Sequence, residues 1–277
     1  MQNREKSHLF RYKENILNRF RLRSLGCLLL CVCVWAPARA ADLPQTIVGV
    51  KRSVVGVGTY LKTRSPAVRF VGTGFVVGDG LSIITNAHVV PELDTEKMEV
   101  LGIVLDGGDG ERVEFRPAQL VASDREHDLA HLAISGKPLP ALQLDGGPAL
   151  PEGKELAFTG FPLGMVLGLH PVTHRALLSA ITPIVLPSLS SGRLNAGAIV
   201  ALQRARFPIY QLDATAYPGN SGSPLFDPAS GAVVGIINMV FVKGLKESAI
   251  SNPSGITYAV PVVHARELLQ RKSAARK

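Results

Sequence analysis

From Val48 onward the chain alternates short apolar, β-branched runs with glycine- and proline-rich breaks, and helical periodicity is scarce until the end. Val48–Tyr60, Arg69–Val77, Leu81–Thr85, Met98–Leu105, Glu111–Ala122 and Leu129–Ile134 each predict a strand. Gly78-Asp79-Gly80 has the residues of a tight hairpin turn. Asp106-Gly-Gly-Asp-Gly110 predicts a loop tip. A stretch rich in Pro and Gly follows, from Gly136 to Pro151, and predicts a linker. Beyond it a second series appears: Glu155–Thr159, Thr173–Ile181, Ile209–Leu212, Ala232–Val242 and Gly255–Val260. Val263–Arg271 carries Leu268 and Leu269 among charges and predicts a short C-terminal helix. Two β series of similar length around one linker predict an all-β protein of two packed barrels, spanning about 45–137 and 152–262, with a cleft between them.

The N-terminus changes how the composition reads. Residues 1–24 are rich in Arg and Lys, Leu25–Ala36 is an apolar run, and Ala38-Arg-Ala40 supplies small residues before a cut. That is the pattern of a secretory signal peptide over 1–40, with export to the periplasm. The run is shorter than the ~20 apolar residues of a membrane span, so no insertion is expected after cleavage. The segment holds eight basic and two acidic residues, so it carries +6 of the net +8. What remains is close to neutral, with its positive excess in a basic tail over 266–277, and a nucleic-acid partner loses its support. Cys27, Cys31 and Cys33 all lie in the signal segment, so the exported part has no disulfide or thiol chemistry.

Three separated residues carry the chemistry. Ser221 stands in Pro218-Gly-Asn-Ser-Gly222, where glycines permit dihedrals that aim successive amides at one point beside a hydroxyl. His88 closes Ile84-Thr-Asn-Ala-His88, and Asp128 opens Asp128-Leu-Ala130. Each has an ordinary reading by itself: a turn serine, a rim histidine, a carboxylate at a strand entry. The set His, Asp, Ser, divided by the linker, points to nucleophilic acyl transfer. Rival sites are weaker. The pairs His127/His131 and His170/His174 have helical metal spacing but sit in a strand-like run or beside Pro171, so no metal or cofactor is expected. Gly56-Val-Gly58 lacks the third glycine of a dinucleotide loop. Ser221, Asp227 and His264 would follow α/β-hydrolase order, but Ser223 stands where that elbow needs Gly. Asp213 is expected to brace the loop before Ser221.

Gly72-Thr-Gly-Phe-Val-Val77, the His88, Asp128 and Ser221 motifs, Gly160-Phe-Pro-Leu-Gly164 and Ile256-Thr-Tyr-Ala-Val-Pro261 together resemble the trypsin-like protease domain of the HtrA/Deg type. The resemblance implies two six-stranded antiparallel β-barrels of the chymotrypsin-like kind. It also implies a serine endopeptidase with His88 as base, Asp128 as its orienting acid and Ser221 as nucleophile. The oxyanion hole would lie at Gly219–Ser221, with Asn220 setting the turn. Departures from the family limit what carries over. The chain reaches only sixteen residues past Pro261, so a PDZ module is not expected, and the oligomeric state is left open. Thr215, six residues before Ser221, replaces the acid of enzymes that cut after Lys or Arg. The pocket is expected at Thr215, Ile237, Asn238 and Met239, for a small or medium apolar side chain. Polypeptides, especially unfolded or exposed segments, are the implied substrates. The alternative is a latent protein that binds chains without cutting, its Tyr217–Asn220 loop held inactive by 161–175 and 187–206.

Overall fold

A computed structural model describes residues 43–106, 113–164, 168–183, 207–238 and 255–275. The predicted signal peptide, Met239 and the 187–206 loop lie outside these residues. The chain opens with helix α1 (Leu43–Lys51) and continues into β1 (Val54–Tyr60), β2 (Val68–Val77), β3 (Ser82–Asn86), a single 3-10 turn (Ala87–Val89), β4 (Val100–Asp106), β5 (Val113–Asp124) and β6 (Leu129–Ile134). After the linker come β7 (Glu155–Gly160), β8 (Val172–Pro183), β9 (Pro208–Asp213), β10 (Pro224–Phe226), β11 (Val233–Asn238), β12 (Ile256–Pro261) and helix α2 (Val262–Ala275). The first six strands close a barrel in the order β1-β2-β3-β6-β5-β4 and the last six close another, β10-β11-β12-β9-β8-β7. Shifted by six, the second order repeats the first, and every pairing within each barrel is antiparallel. This is the chymotrypsin-like architecture the resemblance implied.

The period-two alternation of the strands decides what each barrel buries. Val55, Val57, Val76 and Ile83 fill the first barrel. Leu156, Phe158, Val234 and Ile237 fill the second. Their strand neighbours Val54, Phe75, Ile84, Ala157, Val233 and Ile236 face the other way into one shared core, joined by Val262, Ala265 and Leu268 of α2. The linker is a strap between the barrels. Leu142 N–H donates to Val76 O at 2.9 Å, and Val233 N–H donates to Gln143 O at 2.8 Å.

Three expectations change. Val48–Lys51 is helical, because Pro44 suits a first helical turn and Val50 is buried against the shared core. Strand β10 has three residues, too few to show a period, and was not expected. The basic stretch 266–275 belongs to α2, held by buried Leu268 and by Arg271, whose Nη1 meets Asp124 Oδ2 at 3.3 Å. Gly56 and Gly58 lie in β1, within the strand expected there, with a bulge between Val57 and Gly58, and a Gly58 side chain would meet Arg69 O at 2.3 Å.

Candidate active site

His88 lies in the 3-10 turn that follows β3, and Asp128 enters β6 one residue before its start. Asp128 takes the left-handed backbone (φ +52°), which Asp tolerates better than most residues. This turns its carboxylate back on the chain 40 residues upstream. Oδ1 accepts the His88 backbone N–H at 2.9 Å, and Oδ2 lies 2.5 Å from His88 Nδ1. The Asp128 backbone carbonyl accepts Ala87 N–H and Asn86 Nδ2, both at 3.0 Å. Nδ1 facing a carboxylate carries the proton, which leaves Nε2 as the acceptor.

A third donor reaches the carboxylate from the second barrel. Asn238 Nδ2 donates to Asp128 Oδ2 at 2.8 Å. Asn238 is the single polar residue of the fully buried strand Val233–Asn238. A buried amide among aliphatic residues needs a partner, and that is the signal by which the sequence could have revealed it. The expected pocket assignment therefore changes: the Asn238 side chain serves Asp128, and Ile237 buries its side chain inside the second barrel. Thr215 is half-buried in the loop after β9. Asp213 is exposed, and the brace of that loop is Thr257, whose hydroxyl donates to Ala214 O at 2.7 Å and accepts Ala216 N–H at 3.1 Å.

The Ser221 loop is pinned carbonyl by carbonyl. Pro218 O accepts Leu163 N–H at 2.7 Å, Gly219 O accepts the Thr73 hydroxyl at 2.7 Å, Asn220 O accepts Ser223 N–H at 3.0 Å, and Ser221 O accepts Thr73 N–H at 2.9 Å. Two amides are spent within the scaffold: Asn220 N–H on Tyr217 O and Gly222 N–H on Ile237 O. Among the described residues the amides of Gly219 and Ser221 donate to no backbone carbonyl. In a planar trans peptide the N–H points opposite its carbonyl. Fixing the carbonyls of 218 and 220 therefore fixes the directions of these two free amides. Gly219 (φ +101°) and Gly222 (φ +88°) take dihedrals that disfavour other residues, and a side chain at Gly222 would meet Thr73 O at 2.0 Å.

Thr73 of β2 is the hub, and the sequence reading missed it. Besides its two bonds to the Ser221 loop, its hydroxyl accepts Phe161 N–H at 3.1 Å and its carbonyl accepts the Thr85 hydroxyl at 2.6 Å. It is fully buried between the barrels. Its neighbour Gly72 marks how close the two loops come: a side chain there would meet the Val89 methyls at 2.8 Å and Ser221 O at 3.2 Å. Val89 directly follows His88.

The rival constellations separate. Asp227 is bound to Lys154 (2.7 Å), and His264 stacks on His127 at 3.7 Å between ring centroids, so neither belongs to a Ser221 site. His127 Nδ1 lies 2.9 Å from Asp124 Oδ2, and among the described residues no three metal-ligating side chains gather.

Two closed antiparallel barrels, a histidine–carboxylate pair on one and a glycine-framed serine on the other, define the chymotrypsin-like class of peptidase fold. Residues 72–236 match the trypsin-like peptidase domain, and the chain belongs to that family. It is 31% identical over 200 residues to the "Probable periplasmic serine endoprotease DegP-like" of Pseudomonas fluorescens, covering 72% of this chain and 34% of the relative. The protein of the same name from Halomonas elongata is 30% identical over 194 residues, covering 70% and 33%. The chain thus spans about a third of the length of these curated relatives. Among solved structures, the HtrA-type protease AlgW with tripeptide superposes with a TM-score of 0.57 at 26% identity, covering 83% of this chain and 62% of that one.

Proposed function

We propose that the protein is an exported serine endopeptidase acting through Ser221, His88 and Asp128. Ser221 Oγ attacks a peptide carbonyl while His88 Nε2 takes its proton. The carbonyl oxygen, now an anion, is received by the amides of Gly219 and Ser221. As the intermediate collapses, His88 returns the proton to the departing amine and leaves an acyl-Ser221. A water molecule, deprotonated by the same imidazole, then releases the acid. Asp128 holds the ring in the tautomer that accepts at Nε2 and stabilises the imidazolium. The observation that carries this reading is the pairing of a fully oriented histidine–carboxylate unit with a loop whose only uncommitted amides flank Asn220.

Polypeptides, chiefly unfolded or exposed segments, are the substrates in this reading, and residues 1–40 direct the domain to the periplasm, where the named relatives act. A fluorophosphonate probe tests it. Covalent labelling and peptide hydrolysis are expected in the wild-type protein and are lost in both Ser221→Ala and His88→Ala, with the melting temperature of Ser221→Ala preserved. Labelling that survives Ser221→Ala refutes the nucleophile. No labelling under any condition favours the alternative, a protein that binds chains without cutting them.

A further inference from the structure

A cavity of about 500 Å³ opens beside the Ser221 loop. Phe70 and Leu163 supply apolar surface, Pro218 and Gly219 form the wall toward the proposed oxyanion hole, and Arg64 and Arg69 stand at its rim. Its size suits one or two amino-acid side chains and lies in the lower half of the ~300–1,000 Å³ range of ligand pockets.

Its position relative to His88 decides which part of a substrate could enter. The proton of Ser221 must be handed by His88 to the departing amine, so the residues after the scissile bond leave on the His88 side. That side is β2: Gly72 touches Val89, next to His88, and Phe70 lies two residues before Gly72 on the same strand. The Phe70 ring also packs against the oxyanion loop, since a side chain at Gly219 would meet its Cε1 at 3.3 Å. The cavity therefore borders the path of the departing segment, a step away from the reacting carbonyl.

The charges at the rim differ in a way that sets a preference. Arg64 is committed: its guanidinium donates to Glu99 Oε1 at 2.8 Å, to Thr59 O at 2.8 Å and to Ala67 O at 3.0 Å. Arg69 is exposed, and among the described residues no carboxylate lies within ion-pair distance of it. The mouth of an apolar cavity thus carries one positive charge that no carboxylate among the described residues answers.

We infer that this cavity is the recognition pocket for the departing segment, taking a bulky apolar side chain from the first two residues after the cut, with Arg69 favouring an acidic residue next to it. The inference rests on the peptidase reading above. Quenched fluorescent peptides identical up to the scissile bond test it, with Leu or Gly at the first two positions after it and Asp or Lys at the third. For the wild-type protein kcat/KM is expected to favour Leu over Gly by about tenfold or more, the discrimination that apolar pockets reach. Asp is expected to exceed Lys by about two- to fivefold at low salt, as for a solvent-exposed ion pair. In Arg69→Glu the Asp/Lys ratio, read within that one protein, is expected to invert, and Arg69→Lys retains it. Cleavage of all peptides at equal kcat/KM, or an Asp/Lys ratio unmoved by Arg69→Glu, overturns the inference while fluorophosphonate labelling leaves the peptidase reading standing. Absence of both labelling and cleavage overturns the two together.

Discussion

Replacing Thr73 by Val keeps the shape and the branched Cβ of a fully buried residue and removes only its hydroxyl. That hydroxyl donates to Gly219 O at 2.7 Å and accepts Phe161 N–H at 3.1 Å, so the substitution strands one buried acceptor and one buried donor. Each orphaned group costs ~1–3 kcal/mol, and partial relaxation places the expected loss near ~3 kcal/mol. For a domain of this length that is a fall of about 6–12 °C in Tm. The catalytic effect has a separate origin. Gly219 O belongs to the peptide plane that joins the two planes carrying the free amides, so freeing it loosens the spacing between Gly219 N–H and Ser221 N–H, although Pro218 O still fixes the direction of the Gly219 amide. Complete loss of one oxyanion donor costs ~10²–10³ in kcat. A donor that is loosened yet still present is expected to cost roughly 10- to 100-fold, with KM nearly unchanged. Thermal melting, steady-state peptide hydrolysis and the rate of fluorophosphonate labelling measure the two effects separately. Thr73→Ser, which keeps the hydroxyl, is expected to recover labelling. A Thr73→Val protein that labels within twofold of wild type would show that the backbone bond from Thr73 N–H to Ser221 O suffices and that the hydroxyl positions nothing.

Asn238→Ala removes one hydrogen bond to a charged carboxylate, worth ~1.5–3 kcal/mol. It is expected to lower kcat about 10- to 100-fold with KM steady, and a kcat within twofold of wild type in a peptide assay contradicts the role given to Asn238. Gly222→Ala forces a side chain into a φ of +88° and against Thr73 O. The expected loss is more than ~2 kcal/mol in denaturant unfolding, and an unchanged midpoint refutes the close packing described. Burial, with the charge of stacked His127, holds His264 below the usual imidazole pKa, while Glu267 and Asp124 pull the other way. Because the folded pKa is depressed, this group's contribution is complete above about pH 6.5, the unfolded value, and is lost as pH falls below it. The Tm is therefore expected to drop between about pH 7 and 5, less steeply in His264→Phe, and equal slopes in the two proteins argue against it.

Both barrels were legible because eleven runs of alternating or continuous apolar residues can close only by pairing, and the linker's Pro and Gly showed where one set ends. The elements the sequence hid are those that local pattern cannot encode. β10 is three residues long, and α1 is built of residues such as Ile47, Val48 and Val50 that favour strands when unpacked. In the site, His88, Asp128 and Ser221 stand out only as a set, in that order across the linker, since each alone has an ordinary reading. Thr73, Thr257 and Asn238 do not, since Thr is ordinary in strands and their partners lie 146, 43 and 110 residues away.

The same distances explain the division of labour between the barrels. The first barrel supplies His88 and Asp128, but the last donor to Asp128 is Asn238 of the second. The second supplies Ser221, but its loop is fastened by Thr73 of the first. Gly222 N–H ends on Ile237 O, one residue from Asn238, so two hydrogen bonds joined by the β11 backbone connect the carboxylate to the serine loop without using the reacting atoms. A relative shift of the barrels would misplace the proposed base and the proposed oxyanion donors at once. The shared core and the strap through Leu142 and Gln143 resist that shift, which makes packing between the barrels part of the proposed chemistry.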